Sequence, residues 1–257
     1  MILQKIVARK KEEVAQLRRH GIRLPEAYSN QQVAPPRGFR QALVDYRNIS
    51  IIAEVKKASP SKGVICKDFD PVRIACNYQK NGAQAISVLT DVDFFQGNLY
   101  YLMQVREAVD LPVLRKDFII DQLQIEEAAL HGADAILLIA AILDQKQIED
   151  FAQAAAAMQM DVLIEVHDEE ELDKALGGRP DLIGINNRNL NDFSVDINTT
   201  LRLNQLIPAH IPVISESGLT SAADLKTLQD RGICGALIGE SLMRAGYDSE
   251  MLKMLRS

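Results

Sequence analysis

The chain has 257 residues, of which 47% are hydrophobic and 25% are charged, a balance typical of a globular protein with a substantial core. Its formal net charge of −6 argues against a general nucleic-acid binder, although it is compatible with a local basic pocket for an anionic metabolite. No apolar run reaches the ~18 residues of a membrane-spanning helix, and the N-terminus lacks a secretory signal. The length fits one large domain or two small ones.

The N-terminus predicts an amphipathic helix docked on the main domain. A transit peptide is the alternative, but Glu12 and Glu13 count against it. A polar, Pro-rich connection follows and ends in APPRG at residues 34–38. The apolar residues at helical spacing are Ile2, Leu3, Ile6, Val7, Val14 and Leu17.

Beyond this connection, short β-rich runs alternate with helical segments almost to the end. The helical segments include PVRIACNYQKNG, QLQIEEAALHG, DQKQIEDFAQAAAAM, EEELDKALGG and SAADLKTLQDRG, several of which end on the Gly expected just past a helix. The eight predicted strands are residues 50–56, 85–90, 112–116, 135–140, 162–166, 182–186, 212–216 and 235–239.

Strands that alternate with helices predict right-handed βαβ units and a parallel sheet. Eight units fit a closed (β/α)8 TIM barrel, for which ~250 residues is typical. A doubly wound sheet is less favoured because no GxGxxG follows the first strand. We therefore predict an α/β protein with one barrel domain over residues 1–257, in which residues 1–48 form an N-terminal helical extension.

Polar residues cluster at the predicted C-terminal strand ends, where barrel enzymes carry their catalytic groups. Alternation along the first strand places Lys56 on the face of Glu54, whereas Lys57 and Arg115 point away from the mouth. Convergent opposite charges would shift one another's pKa. The candidates at this rim are Glu54, Lys56, Lys116, Glu165, Asn186, Arg188 and Glu216.

The last two strands carry a different signal, because SESG (215–218) and LIGES (237–241) bring a Gly to a strand end. Turn geometry alone would explain either Gly, but backbone N–H groups there also suit a phosphate. With Lys56, Ser59 and Arg188 nearby, we favour a phosphorylated substrate.

Other chemistries have less support. The histidines form no HxH or HExxH cluster, which predicts no metal site. His167 could face the mouth with Glu165, but we favour a loop role because the strand should end before it. A Schiff-base lysine remains open, since Lys56 or Lys116 could be shifted towards the neutral amine. Cys66, Cys76 and Cys234 form no CxxC pair, which predicts reduced thiols with packing roles in a cytoplasmic protein.

Six motifs in this order and spacing resemble those of the indole-3-glycerol phosphate synthase family, a group of tryptophan-pathway barrel enzymes. They are EVKKASPSKG, LRKDFI, LIEVHD, IGINNRNL, ISESG and LIGESLMR. The resemblance implies ring closure, decarboxylation and dehydration of 1-(2-carboxyphenylamino)-1-deoxyribulose 5-phosphate, with no cofactor or metal.

The resemblance also implies residue roles. Lys116 is then the general acid that protonates the ribulose carbonyl oxygen, and Glu165 is the general base or acid of the later dehydration. Whether Lys56 or Lys116 donates the proton in that second half stays open. Glu54, Lys56, Asn186 and Glu216 complete the polar site. The implied phosphate site is Ser59, Arg188, Ser217, Gly218, Gly239 and the backbone N–H of Glu240, and the candidates for the aromatic pocket are Pro60, Phe94, Phe95 and Leu138.

Two other functions are weighed against this one. A phosphoribosylanthranilate isomerase would share the barrel and the phosphate loops but use a Cys/Asp acid–base pair, where this chain offers Glu54 and Lys56. A noncatalytic binding barrel is the second alternative, and it would have no activity for Lys116→Ala to remove. We expect a stand-alone, monomeric enzyme, since no exposed apolar stripe is evident.

Overall fold

The computed structural model describes residues 2–29, 33–189, 192–246 and 249–256, so Leu190, the last residue of the IGINNRNL motif, lies outside the described residues. Within these residues, no helix is both long and apolar enough to cross a membrane. The strands are β1 (Ser50–Val55), β2 (Ala58–Ser59), β3 (Gly63–Val64), β4 (Ala85–Leu89), β5 (Val113–Lys116), β6 (Ala135–Ile139), β7 (Asp161–Val166), β8 (Ile183–Asn186), β9 (Val213–Glu216) and β10 (Gly235–Ile238).

The helices alternate with these strands. They are α1 (Ile2–His20), α2 (Phe39–Val44), α3 (Pro71–Lys80), α4 (Leu99–Ala108), α5 (Gln122–Leu130), α6 (Gln145–Ala157), α7 (Glu169–Gly177), α8 (Asn198–Leu203), α9 (Ala222–Asp230), α10 (Glu240–Ala245) and α11 (Met251–Met254). Short 3₁₀ turns lie at Glu26–Tyr28, Ala140–Ile142 and Asn204–Leu206.

Local sequence explains where several helices begin and end. Asp70 accepts the backbone N–H groups of Val72 and Arg73, and a Pro occupies the first turn of α3. Asp144 and Gln147 form a reciprocal capping box at the start of α6. Gly82, which follows α3, has a φ of +89°, in the left-handed region that other residues rarely adopt.

Eight strands close into a parallel barrel in the order β1, β10, β9, β8, β7, β6, β5, β4, which confirms the predicted TIM barrel. All eight predicted strands are present, with ends within one residue of the prediction. The register aligns Asn186 of β8 with Glu216 of β9, and Leu89 of β4 with Lys116 of β5. Because the strands are parallel, their polar C-terminal residues meet at one end of the barrel.

Apolar residues fill two layers. The inner layer includes Ile52, Leu114, Leu137 and Leu163 inside the barrel, and a larger outer layer packs the strands against the surrounding helices. α2 was not among the predicted helices, and its fully buried Phe39 and Leu43 join the inner layer. Full burial of such a side chain typically stabilises a protein by ~1.5–3 kcal/mol.

Helix α1 packs against α5 and reaches the mouth of the barrel, in agreement with the predicted docked helix. Its buried residues are Ile6, Lys10 and Val14, which are spaced by four along one face. A lysine on the buried face was not predicted. Lys10 Nζ lies 2.9 Å from carboxylate oxygens of both Asp91 and Asp117.

Candidate active site

A cavity of about 570 Å³ opens at the C-terminal ends of the barrel strands. The β2–β3 hairpin, which was not predicted, adds Ser59 to its wall, and α1 adds Ile2, Leu3 and Ile6. All six residues predicted to be catalytic line this cavity: Glu54, Lys56, Lys116, Glu165, Asn186 and Glu216. Alternation along β1 holds as predicted, because Lys56 forms an ion pair with Glu54.

Lys116 occupies the centre of the polar network. Its Nζ lies 3.1 Å from Glu165 Oε2 and 3.8 Å from Glu216 Oε2. Burial opposes the charge, but the carboxylates of Glu165, Glu216 and Glu54 outweigh burial and raise the pKa of Lys116 above its ordinary value. The ammonium is therefore the resting form, which disfavours the neutral amine that a Schiff-base mechanism at Lys116 would need.

The same network shifts the pKa values of the two buried glutamates, Glu165 and Glu216, in opposite directions. Burial would raise the pKa of Glu165, but Lys116 and His167 lower it below its ordinary range. Burial and the nearby Glu165 carboxylate raise the pKa of Glu216 to about 8. One carboxyl is thus held ionised while its neighbour takes up a proton near neutral pH, a pairing that suits acid–base chemistry.

His167 lies in the loop after β7, as favoured, but it also contacts a carboxylate of the site. Its Nε2 lies 3.3 Å from Glu165 Oε1, and its Nδ1 lies 2.9 Å from Glu171 Oε2. β7 does end at Val166, as predicted, but the next residue still projects towards the Glu165 side. The spacing of two from Glu165 was the signal that pointed to this contact.

The carboxylates of Glu216 and Glu54 explain why two neighbouring positions are glycine. A Cβ at Gly184 of β8 would collide with the Glu216 carboxylate, and one at Gly239 would collide with that of Glu54. Gly239 was predicted only as a phosphate ligand, and Gly184 was not singled out. Both positions therefore leave room for a functional side chain on the neighbouring strand.

The predicted phosphate residues converge on one side of the cavity. Ser217 and Gly218 form a turn with φ of +66° and +80° directly after β9. A Cβ at Gly218 would also clash with Val195, so the close approach of that loop requires Gly. The full predicted set, all of which lines the cavity, is Ser59, Arg188, Ser217, Gly218, Gly239 and Glu240.

Glu240 lies among cations on this side of the cavity. Its carboxylate is 3.7 Å from Arg188 Nη2, 3.8 Å from Lys62 Nζ and 3.1 Å from Arg244 Nε. Lys62 and Arg244 line the cavity as well but were not in the predicted set. A cationic cluster that suits an anionic group is therefore present, with one carboxylate inside it.

The aromatic pocket is only partly as predicted. Pro60 and Phe95 line the cavity, whereas Phe94 does not. Leu138 is wrong, because it packs in the outer layer while its neighbours Leu137 and Ile139 face inwards. Side chains alternate along β6, and the adjacent Ile139 pairs with the inward-facing Glu165 of β7.

Phe118 was missed as a wall residue. It lines the cavity, and its ring centroid lies 6.0 Å from that of Phe95. It follows Lys116 by two residues in LRKDFI, so strand alternation could have identified it. The two rings and the inward aliphatic residues give the cavity an apolar wall beside its charged floor.

Lys10 connects the two loops that carry these aromatic residues. Asp91, which it contacts, accepts the backbone N–H groups of Phe94 and Phe95 at 2.8 and 3.2 Å. Asp117, its other partner, lies between Lys116 and Phe118. Lys10 on α1 thereby ties two mouth loops to the N-terminal helix.

Comparisons of sequence and structure relate the chain to known proteins. A sequence model of the indole-3-glycerol phosphate synthase family matches residues 3–255. The indole-3-glycerol phosphate synthase of Desulfotalea psychrophila is 64% identical over 254 residues, which cover 99% of this chain and 98% of that protein. The indole-3-glycerol phosphate synthase of Chlorobium luteolum is 51% identical over 241 residues, which cover 93% of this chain and 92% of that protein.

Among solved structures, an N-acetylmannosamine-6-phosphate 2-epimerase from Clostridium perfringens superposes with a TM-score of 0.63 at 16% identity, covering 84% of this chain and 95% of that chain. At that identity the likeness shows the barrel fold alone. The sequence matches are decisive, because they span nearly the whole chain at high identity. The chain belongs to the indole-3-glycerol phosphate synthase family, whose members are carboxy-lyases of tryptophan biosynthesis.

Proposed function

We propose that this chain converts 1-(2-carboxyphenylamino)-1-deoxyribulose 5-phosphate to indole-3-glycerol phosphate, with Lys116 as the general acid of ring closure. The observation that carries the proposal is a charged Lys116 ammonium held between Glu165 and Glu216 on the floor of a cavity with a cationic end and an aromatic wall. The cationic end accommodates the phosphate, and the apolar wall accommodates the anthranilate ring.

In the first step, the aromatic carbon that bears the carboxylate attacks the ribulose carbonyl carbon. The new C–C bond forms while the carbonyl π electrons move to oxygen, which takes a proton from Lys116. Developing negative charge on that oxygen is stabilised by the ammonium, and proton transfer of this kind typically contributes ~10²–10⁴ in rate.

Loss of carbon dioxide then needs an electron sink. The ring nitrogen is an iminium after ring closure, and the electrons of the breaking C–C bond neutralise it and restore the aromatic ring. The protein needs only to hold the geometry in this step.

Dehydration completes the pyrrole ring. A base removes a proton from the methylene carbon beside the ring nitrogen, the C–H electrons form the new double bond, and the hydroxyl leaves as water with a proton from an ammonium. We assign the base to Glu165, which the network keeps ionised. Among the described residues, Lys56 is an ammonium on the floor beside it, and Lys116 can serve only after it has regained a proton.

The site favours this reaction over a phosphoribosylanthranilate isomerase. That activity would use a cysteine as one member of its acid–base pair, whereas Cys66, Cys76 and Cys234 all lie outside the cavity lining. The first strand instead brings the Glu54–Lys56 ion pair to the mouth.

The test is indole-type fluorescence after the purified chain is mixed with the anthranilate deoxyribulose phosphate. The chain contains no Trp, so product emission appears over a low protein background. Lys116→Ala should lower kcat by ~10²–10⁴. Lys57→Ala is the matched control, because Lys57 follows β1 at the same end of the barrel but does not line the cavity. Retained activity in Lys116→Ala, or equal losses in both variants, would contradict the assignment.

We also propose that the enzyme is monomeric. The large apolar side chains that are exposed lie on separate elements, such as Val64 in β3, Leu130 in α5 and Met254 in α11. Light scattering should give a mass near 28.6 kDa, and a mass near twice that value would contradict the proposal.

A further inference from the structure

His167 lies between two carboxylates at the end of β7. Its Nδ1 is 2.9 Å from Glu171 Oε2, and the same carboxylate oxygen accepts the backbone N–H of His167 at 2.8 Å. This double contact fixes the ring, whose Nε2 then lies 3.3 Å from Glu165 Oε1, within ion-pair distance. The His167 side chain is only 11% exposed, so water screens these charges weakly.

Glu165 is contacted on both of its oxygens. Oε2 faces the Lys116 ammonium at 3.1 Å, while Oε1 faces His167 and accepts the Asn186 side-chain amide at 3.3 Å. Two more carboxylates lie in the same network, those of Glu216 from β9 and of Glu54 from β1, and Glu54 is paired with Lys56. Lys116 and His167 are thus the cations that lie against the Glu165 carboxylate itself.

This balance changes during the proposed reaction. When Lys116 gives its proton to the ribulose oxygen, it becomes a neutral amine and no longer offsets the charge on Glu165. A buried carboxylate without a cation tends to take up a proton. A protonated Glu165 could not remove the methylene proton in the dehydration.

We propose that His167 is a positioning residue that keeps Glu165 ionised and correctly oriented after Lys116 has given up its proton. The proposal rests on the role assigned to Glu165 in the proposed function. His167 carries no proton to the substrate; it acts through the Glu165 carboxylate, and Glu171 orients the imidazole for that contact.

The electrostatics of the imidazole support this role. Burial disfavours the charged ring, but the contacts with Glu165 and Glu171 raise the pKa of His167 to about 10. The cation is therefore present throughout the neutral and mildly alkaline range, in which an unperturbed histidine would be neutral.

The first test compares pH profiles of kcat for the wild type, His167→Gln and Glu165→Gln. The glutamine amide can still donate a hydrogen bond but carries no charge. We expect His167→Gln to move the acid limb of the profile upward by about 1–3 pH units, with activity recovering at alkaline pH and KM little changed. His131→Gln is the matched control, since His131 is also buried but contacts the backbone of Glu127 outside the cavity.

The outcomes separate the two proposals. An inactive Glu165→Gln beside a His167→Gln profile that matches the wild type would overturn the role of His167 alone. A fully active Glu165→Gln would overturn the assignment of Glu165 and the His167 inference with it.

A second measurement does not depend on activity. An NMR titration of the imidazole signals of the wild type, assigned by the signal missing from His167→Gln or His167→Asn, should show one ring that remains protonated above pH 9. A His167 signal that titrates near pH 6.5, the ordinary value of histidine, would overturn the proposal.

Discussion

Lys10 offers the sharpest test of how the N-terminal helix supports the active site. Its side chain is 2% exposed and lies 2.9 Å from carboxylate oxygens of Asp91, Asp117 and Glu13. Lys10→Met retains the apolar stem and the helix propensity but removes the charge. Asp91 and Asp117 would then be buried without their shared cation.

Asp91 and Asp117 differ in the contacts that remain to them in Lys10→Met. Asp117 still has Arg115 at 3.2 Å and the Thr90 hydroxyl at 2.6 Å. Among the described residues, the Asp91 side chain keeps the two backbone donors of Phe94 and Phe95, both on Oδ1. Breaking a buried pair typically costs ~3–5 kcal/mol, and the contacts that remain place this case near ~3 kcal/mol.

Urea and thermal unfolding followed by circular dichroism measure this loss. A loss of ~3 kcal/mol corresponds to a fall in Tm of ~6–12 °C for a chain of this size. Lys11→Met is the matched control, because Lys11 is the exposed neighbour and its loss should cost under ~0.5 kcal/mol. KM should also rise in Lys10→Met, since Asp91 anchors the loop that carries Phe95.

The pH dependence gives a further check with a definite sign. Lys10 and Arg115 outweigh burial and lower the pKa of Asp117 below its ordinary range, so the wild type loses stability as pH falls below ~4. In Lys10→Met, the Asp91 carboxylate would be buried without its cation, and the cost of burying that charge disappears in acid. The loss of stability in Lys10→Met, relative to the wild type, should therefore become smaller as the pH falls from 8 to 4. Equal stability of Lys10→Met and Lys11→Met at pH 8, or a deficit that grows in acid, would refute the reasoning.

Two further predictions concern the site carboxylates. Glu216→Gln should be at least ~1 kcal/mol more stable than the wild type at pH 9 and about equal at pH 4, because the raised Glu216 pKa of about 8 means that wild-type stability is lost as pH rises through that value. Chemical unfolding at both pH values measures the difference in the free energy of unfolding. The same substitution should also lower kcat. A larger gain in stability at pH 4 than at pH 9 would contradict the predicted direction of the pH effect. Glu240→Gln should lower KM by ~2–5-fold with kcat unchanged, because it removes a partly exposed carboxylate from the cations at the proposed phosphate site. Steady-state kinetics test this prediction, with Glu250→Gln as the control because Glu250 is an exposed glutamate near the C-terminus. A raised KM in Glu240→Gln would show that Glu240 assists binding.

The sequence by itself determined the barrel and most of its polar mouth. Helical and strand periodicities differ, so the alternation of elements was visible without tertiary information. Strand alternation also placed Lys56 beside Glu54 and excluded Arg115, which instead pairs with Glu127 of α5. These inferences succeeded because they depend only on neighbours along one strand.

Only the tertiary structure decided which side of an entirely apolar strand faces inwards. Strand β6 is buried along its whole length, so its sequence carries no polar–apolar alternation, and its orientation follows from pairing with Glu165 of β7. Leu138 was misplaced for this reason. Lys10 lies four residues from both Ile6 and Val14, so its position on the buried face was visible, but its partners Asp91 and Asp117 are brought to it by the closure of the barrel. The contact of His167 with Glu165 likewise depends on where the chain turns after β7, which long-range packing fixes and local sequence does not.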